Sequence, residues 1–211
     1  MATHIHEEEQ VEALKRWWKE NGTSVIAGVV LGIAGIIGWN TWQNYQKTRA
    51  EGASDLYMQL LQAVDQNKPE LAQGVTQRLL EQYPKTAYAD FAHLIQAKLS
   101  VDAGKLEEAK KSLGQLMTQS KDANYRHIAR LRMARVLLAM GTPDEALSLL
   151  TSKEVGDPGR FGGQYEELKG DIYKAQGKLE EAADAYRRAL ALGRDHAYLR
   201  TKLNDLGLGS S

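Results

Sequence analysis

The sequence contains no cysteine and no excess of charge of either sign. Without cysteine the chain cannot form a disulfide or a thiolate metal site. The 27 basic and 27 acidic residues give a formal net charge of zero, whereas a nucleic-acid-binding domain carries a clustered excess of Lys and Arg. These absences argue against a disulfide-stabilised scaffold and against a nucleic-acid-binding protein.

Proline is also scarce, and no segment alternates apolar and polar residues over the length of a strand. The four prolines leave long stretches rich in Ala, Leu, Glu, Lys and Gln, residues that are favourable in helices. We therefore predict an all-α fold. Catalytic motifs such as a nucleophile elbow are absent too, and His4 and His6 alone are too few ligands for a metal site. We expect no enzymatic activity, no metal, no bound cofactor and no small-molecule substrate.

What the sequence does have is one uncharged, proline-free run at residues 25–39, with all four tryptophans at its ends. They are Trp17, Trp18, Trp39 and Trp42. Tryptophan prefers the boundary between hydrocarbon and water, and a helix from Trp18 to Trp39 rises about 32 Å, close to one bilayer core. We predict a single transmembrane helix at residues 22–42. The alternatives are a buried helix, which glycines would weaken, and a signal peptide, which lacks a small-residue cleavage site here.

The basic residues beside the span predict its direction. Three precede it and two follow it, namely Lys15, Arg16 and Lys19, then Lys47 and Arg49. Because basic residues concentrate on the cytoplasmic side, we expect residues 1–21 to form a cytoplasmic tail and residues 43–211 to form a periplasmic domain. Apolar residues at helical spacing in residues 10–18 also predict a short helix at the membrane surface.

Glycines mark one face of the predicted span. Gly28, Gly32 and Gly35 follow a helical spacing, and small residues four apart allow another membrane helix to approach closely. We interpret these three glycines as a candidate contact with a membrane partner. The alternative is that they reflect composition alone, since glycine is common in membrane helices.

An internal repeat organises the rest of the chain. A Gly-x-x-x-Glu-Ala pattern ends at Ala109, Ala146 and Ala182, which are 37 and 36 residues apart, and residues 67–72 form a weaker copy. Glycine or asparagine ends one helix in each copy, and acidic residues favour the first turn of the next. This period resembles the tetratricopeptide repeat. We predict an α-solenoid of about four helix pairs with a C-terminal capping helix at 195–206. The paired helices are 46–66 and 69–83, 87–103 and 105–119, 123–140 and 143–153, and 163–176 and 178–193.

The first helices of the pairs predict a partner-binding groove. In the register of the repeat, the concave positions include large apolar side chains and one arginine: Tyr57, Leu61, Phe91, Leu94, Ile128, Leu131 and Arg135. Such a groove suits an extended peptide or an amphipathic helix. The alternative is that these side chains belong to the core, covered by the terminal helix or a neighbouring repeat.

Two further segments need interpretation. Arg126 and Arg130 lie one turn apart and could share an acidic partner; the simpler interpretation is a solvated face paired with neighbouring carboxylates. The glycine-rich stretch at residues 156–163 lacks the strand and lysine of a phosphate-binding loop. We expect it to be a lengthened connection with Phe161 packed into the core.

With this layout, the chain resembles the YfgM family of bacterial inner-membrane proteins, described as ancillary subunits of the Sec translocon. The most specific segment is Gln10-Val-Glu-Ala-Leu-Lys-Arg-Trp-Trp-Lys-Glu-Asn-Gly22, and residues 131–136 and 199–206 add support. The resemblance implies a membrane helix with a cytoplasmic N-terminus and a periplasmic repeat domain. It also implies association with the SecYEG channel and with PpiD, a membrane-anchored periplasmic chaperone.

Two functional hypotheses remain open at this stage. The first is an interaction protein at the translocon that links protein export to periplasmic chaperones. The second is a structural scaffold for another inner-membrane or envelope assembly. The resemblance favours the first, because composition and repeat pattern alone fit both.

Overall fold

The computed structural model describes residues 2–207, and the side chains of residues 10–207, as helices joined by turns. The helices are α1 (Ala2–Asp65), α2 (Pro69–Gln82), α3 (Ala87–Asp102), α4 (Leu106–Gln119), α5 (Ala123–Ala139), α6 (Pro143–Thr151), α7 (Gly162–Ala175), α8 (Leu179–Ala191) and α9 (Ala197–Asn204). Two 3₁₀ turns, Lys153–Val155 and Gly159–Phe161, connect α6 to α7. The described part contains no strand, so the predicted all-α class is confirmed.

The chain divides into two compact units, Met1–Gly52 and Ala53–Ser211. In the first unit, the apolar side chains of the uncharged run are exposed, among them Ile26, Leu31 and Ile36. This part of α1 is long and apolar enough to cross a membrane, and the described chain has one such helix. Apolar side chains that find no protein partner are expected where lipid is the solvent.

The second unit, which we call the repeat unit, is built from helix pairs closed by residues with positive φ. Asn67, Gly104, Gly141 and Gly177 have φ between 53° and 77°, the left-handed conformation that ends a helix and that glycine adopts without strain. In each case the following helix begins two residues later. The predicted turn positions are therefore confirmed.

Small residues allow the helices of each pair to pack closely. Ala109, Ala146 and Ala182 are completely buried, as the repeat pattern predicts. The closest approach is between α7 and α8, where a Cβ added to Gly170 would lie 2.3 Å from Cε1 of Tyr186. Because Tyr186 is itself fully buried, only glycine leaves room for its ring.

The end of the repeat unit is covered by α9. Leu199 and Leu206 pack against the buried Tyr186 cluster, with Leu203 partly buried beside them. The predicted capping role is therefore confirmed, because these leucines cover apolar surface that an open stack would leave exposed. Phe161 is likewise buried, in the core formed by α5, α6 and α7, as expected from the sequence.

Candidate partner-binding face

The first helices of successive pairs form one face of the repeat unit, which we call the first-helix face. It comprises the last turns of α1 from Ala53 onward, followed by α3, α5 and α7. Neighbouring members pack against one another, since α3 contacts α5 and α5 contacts α7. The predicted groove residues all lie on these helices and differ in how deeply they are buried.

Four aromatic rings run along the N-terminal part of this face. Tyr57 lies 5.4 Å from Phe91 and 5.5 Å from Tyr88, and Phe91 meets Tyr125 edge-on at 5.3 Å between ring centroids. All four side chains are partly exposed. We call Tyr57, Tyr88, Phe91 and Tyr125 the aromatic strip. Offset and edge-to-face rings at these distances attract one another, so the strip is a preformed apolar surface.

Sequence reasoning found only half of the aromatic strip. Tyr57 and Phe91 were predicted, whereas Tyr88 and Tyr125 were not. The sequence spacing does identify these two tyrosines, because Tyr88 precedes Phe91 by three residues and Tyr125 precedes Ile128 by three. Residues three apart share a helix face, so extending the repeat register one turn back would have included both tyrosines.

The other predicted groove residues divide between core and surface. Leu94 and Leu131 are 8% and 2% exposed and belong to the core clusters, so the alternative core interpretation holds for these two. Leu61 and Ile128 are partly buried, and Arg135 is exposed. The physical reason is packing against neighbouring helices: Leu94 shares its core cluster with residues of α4 and α5, and Leu131 with residues of α6 and α7.

Charge changes sign along the first-helix face. Near the aromatic strip, Ser120 donates a hydrogen bond to Oδ2 of Asp90 at 2.8 Å, and Asp122 caps the N-terminus of α5. Burial and the negative charges of Asp122 and Asp90 raise the pKa of Tyr125. Toward the C-terminal ends of α3 and α5, Lys98, Arg132 and Arg135 are exposed instead.

The arginines of α5 differ from the expected solvated, carboxylate-paired face. Arg130 is only 6% exposed, and its Nη2 donates to the backbone carbonyl of Glu154 at 3.4 Å. Arg126 donates to the carbonyl of Ser120 at 2.9 Å. The simpler interpretation was therefore wrong for this pair, because backbone carbonyls exposed at helix ends and turns accept these hydrogen bonds.

A charged network occupies the C-terminal end of the same face. Glu167 on α7 accepts hydrogen bonds from Nε of Arg194 at 2.9 Å and from Nζ of Lys202 at 3.0 Å. Nζ of Lys202 also donates to Asp171 at 2.8 Å, and the hydroxyl of Tyr186 donates to that carboxylate at 2.8 Å. We call these five residues the α7–α9 network.

His196 joins this network with a defined tautomer. Its Nδ1 accepts the backbone N–H of Leu199 at 3.1 Å and caps α9, so its ring proton lies on Nε2, which is 3.3 Å from Oε2 of Glu167. Burial alone would raise the pKa of Glu167, but the hydrogen bonds from Lys202 and Arg194 outweigh it and lower the pKa to about 2. The network therefore joins α9 to α7 through an ionised carboxylate.

The membrane glycines are open in the structure. A Cβ added at Gly28, Gly32 or Gly35 would meet no atom within 4 Å, and the apolar residues around them are exposed. This arrangement leaves room for a helix to approach. Among the described side chains, no group of three or more His, Asp or Glu residues is placed to hold a metal ion.

Residues 15–208 match the family described as tetratricopeptide repeat-like domain. The chain is 34% identical over 208 residues to the ancillary SecYEG translocon subunit of Haemophilus influenzae, with 98% of this chain and 100% of the relative covered. The chain belongs to the family of ancillary SecYEG translocon subunits.

A second member of this family is similar over most of its length. The ancillary SecYEG translocon subunit of Escherichia coli is 32% identical over 187 residues and covers 88% of both chains. The resemblance to the YfgM family noted from the sequence is therefore confirmed. The similarity includes both the membrane segment and the repeat unit, because the alignments cover 98% and 88% of the chain.

Solved structures show the same fold outside the family. Pseudomonas aeruginosa PilF matches with a TM-score of 0.60 at 17% identity, covering 75% of this chain and 69% of that one. MamA from Desulfovibrio magneticus matches with a TM-score of 0.58 at 15% identity, covering 76% and 84%. At such identities the likeness concerns the helical-repeat fold alone.

Proposed function

We propose that the protein is a non-enzymatic, membrane-anchored subunit that associates with a SecYEG translocon and links protein export to periplasmic chaperones. The observation that carries the proposal is the nearly full-length match to proteins named ancillary SecYEG translocon subunits. A repeat unit with a preformed aromatic surface fits an interaction role, since such stacks bind partners through their faces.

The proposed topology places residues 1–21 in the cytoplasm, a span at residues 22–42 in the inner membrane, and residues 43–211 in the periplasm. The exposed apolar side chains of α1 and the single candidate span support the membrane location. The basic residues before the span support the direction. Protease added to spheroplasts should degrade the repeat unit and leave a small N-terminal fragment. A protected repeat unit would contradict this topology.

Two surfaces are proposed to bind partners. In the membrane, Gly28, Gly32 and Gly35 form an open strip for a partner helix, because lateral association in lipid depends on close packing. In the periplasm, the aromatic strip contacts a protein partner, with a PpiD-like membrane-anchored chaperone as the proposed one. Aromatic anchors of this kind dominate the energetics of many interfaces.

The experiment that tests the proposal is affinity purification of the intact chain from membranes in mild detergent. The proposal expects the SecYEG channel and a membrane-anchored chaperone of the PpiD type among the recovered proteins. The variant Gly32→Leu fills the open strip and should reduce recovery of a membrane partner. Val30→Leu, on the opposite side of the same helix, is the matched control and should leave recovery unchanged.

Each result has a definite meaning. Recovery of a different envelope assembly, with no translocon component, would overturn the proposal in favour of the scaffold hypothesis. Equal recovery by Gly32→Leu and the unsubstituted chain would remove the glycines from the binding surface. Carbonate extraction of both variants checks that insertion is intact, so that loss of a partner reports on packing.

A further inference from the structure

A cavity on the repeat unit lies between α3, α4 and α5, near the C-terminal ends of α3 and α5. It has a volume of about 260 Å³. Six apolar residues line it, namely Ala97, Val101, Leu106, Leu113, Val136 and Ala139. Leu113 and Val136 form its buried floor, whereas Val101 and Ala139 are exposed at its edge. We call it the α3–α5 pocket.

Three cationic side chains complete the lining of the α3–α5 pocket. They are Lys98, Arg132 and Arg135. Lys98 is paired with Asp102 one turn along α3. Arg132 and Arg135 form no ion pair with any residue that the structure describes. Two guanidinium groups without an ion-pair partner at the edge of an apolar pocket can bind carboxylates, since the planar guanidinium matches the geometry of a carboxylate.

The two arginines also repel each other. They lie three residues apart on α5, where like charges on one helix face are unfavourable. Although the Arg132 side chain reaches solvent, partial desolvation by the surrounding protein and the neighbouring charge of Arg135 lower its pKa. An anionic group bound between them would relieve this repulsion. The folded chain itself supplies no such group among its described residues, so the charge is available to a partner.

The size of the pocket limits what enters it. Sites for drug-sized molecules usually measure about 300–1,000 Å³, and this pocket lies just below that range. A single large apolar side chain fits such a volume, with the arginines placed beside it rather than beneath it. An apolar anchor in a desolvated pocket with charges at its rim is the usual arrangement of an interface hot spot.

We propose that the α3–α5 pocket binds one large apolar side chain of a partner protein segment whose flanking residues are acidic. Val136 and Leu113 contact the apolar side chain, and Arg132 and Arg135 bind the flanking carboxylates. The proposal rests on the interaction role proposed above and adds the chemistry of the partner segment. It also separates the pocket, at the C-terminal ends of α3 and α5, from the aromatic strip.

The test uses the full chain in nanodiscs of zwitterionic phospholipid and three fluorescent pentapeptides with blocked ends. Their sequences are Glu-Glu-Leu-Glu-Glu, Glu-Glu-Gly-Glu-Glu and Lys-Lys-Leu-Lys-Lys. Fluorescence anisotropy at low ionic strength should show the first peptide binding at least tenfold more tightly than either of the others. Equal binding of the first two would show that no apolar anchor is used and would overturn the proposal.

Variants locate the binding. Arg132→Glu combined with Arg135→Glu should weaken binding of the acidic leucine peptide at least tenfold and make the lysine-flanked peptide the preferred one. Arg78→Glu, an exposed charge reversal on α2, should change neither. Unchanged preference in the double variant would place binding elsewhere and would also overturn the proposal. Far-ultraviolet circular dichroism on each variant confirms the helical fold.

Filling the pocket gives an independent result. Ala139→Phe places a ring at the exposed edge of the pocket and should abolish binding of the acidic leucine peptide. Ala175→Phe is the matched control, because Ala175 is likewise the exposed last residue of a first helix, α7. Self-association of the chain that Ala139→Phe removes would assign the pocket to a second copy and would count against the proposal.

The outcome is separable from that of the proposed function. Translocon recovery depends on the chain as a whole and is measured on the same variants. Intact recovery together with failed peptide discrimination would reject the pocket and leave the proposed function in place. If the unsubstituted chain recovers no translocon component, the proposed function is rejected whatever the peptides show.

Discussion

The two ends of the first-helix face differ in whether their side chains find partners within the chain. At the C-terminal end, Lys202 of α9 donates hydrogen bonds to both Glu167 and Asp171, and Arg194 donates to Glu167. At the N-terminal end, the rings of the aromatic strip contact one another and remain partly exposed. The first end is closed by partners from its own chain, whereas the second offers apolar surface that only another molecule can cover.

This difference indicates where binding and where stability should reside. A carboxylate that accepts several charge-assisted hydrogen bonds holds its helices together, so substitutions in the α7–α9 network should affect folding first. Substitution of a partly exposed ring should change the free energy of unfolding less than substitution of a buried group. The same ring can supply much of the binding free energy of an interface. Substitutions that separate folding from binding are therefore the sharpest tests of the comparison.

The largest effect on folding is expected at the closed end. Glu167→Ala leaves Lys202 and Arg194 without their shared carboxylate, which should reduce the free energy of unfolding by about 3 kcal/mol, the lower end for a broken buried pair because Arg194 is partly exposed. Denaturant titration followed by circular dichroism measures it. Glu181→Ala, an exposed change on α8, should lie within about 0.5 kcal/mol of the unsubstituted chain. Equal losses in the two variants would show that the network does not hold α9 in place.

A smaller loss is expected where the helices of the last pair approach most closely. Gly170→Ala places a Cβ 2.3 Å from the ring of Tyr186, which is buried and hydrogen-bonded to Asp171. The ring has no free space to enter, so overpacking should cost about 1–3 kcal/mol. The melting temperature of the repeat unit should fall accordingly. A variant as stable as the unsubstituted chain would mean that α7 and α8 separate without cost.

A glycine-to-alanine substitution should instead stabilise the fold where the helix surface is open. Gly74 lies in the middle of α2, and a Cβ there meets no atom within 4 Å. Gly74→Ala should therefore raise the free energy of unfolding by about 0.5–1 kcal/mol, because alanine loses less backbone entropy in a helix. Destabilisation by Gly74→Ala would show an unrecognised close contact on α2.

The pH dependence of stability should include a contribution from Glu167 at the closed end. The pKa of Glu167 is about 2 in the folded chain against 4.5 for an ordinary glutamate, so its contribution is fully present above pH about 4.5 and is lost as pH falls toward 2. Glu167→Gln should flatten this part of the stability profile. A profile in the variant that is as steep as before would assign acid unfolding to other carboxylates.

The repeat architecture could be predicted from sequence because its signals are local. Asn67, Gly104 and Gly177 lie in helix-ending turns, and the alanine spacing places Ala109 and Ala182 between paired helices. These features depend on residues a few positions apart. The bounds of the other helices lie within two residues of expectation, but the helix predicted at 46–66 is the end of one continuous helix, Ala2–Asp65, that also contains the segment predicted as a short surface helix.

The functional face could be predicted only in part. Tyr57 and Phe91 follow from the repeat register, but the same register cannot separate them from Leu94 and Leu131, which lie in core clusters formed with neighbouring helices. The α7–α9 network was not anticipated, because Glu167 and Lys202 are 35 residues apart and their contact depends on how α9 docks. The α3–α5 pocket arises for the same reason from three different helices.

The most direct test of this assignment compares one charge introduced in the aromatic strip with one introduced beside the closed end. Phe91→Glu changes the aromatic strip, and Tyr198→Glu changes an exposed aromatic on α9 beside the closed end. Affinity purification of the intact chain should show that Phe91→Glu reduces recovery of the periplasmic partner about 30-fold, the equivalent of one hot spot of about 2 kcal/mol, while circular dichroism remains helical. Tyr198→Glu should retain full recovery. Full recovery with a folded Phe91→Glu chain, or loss confined to Tyr198→Glu, would contradict the assignment of binding to the aromatic end.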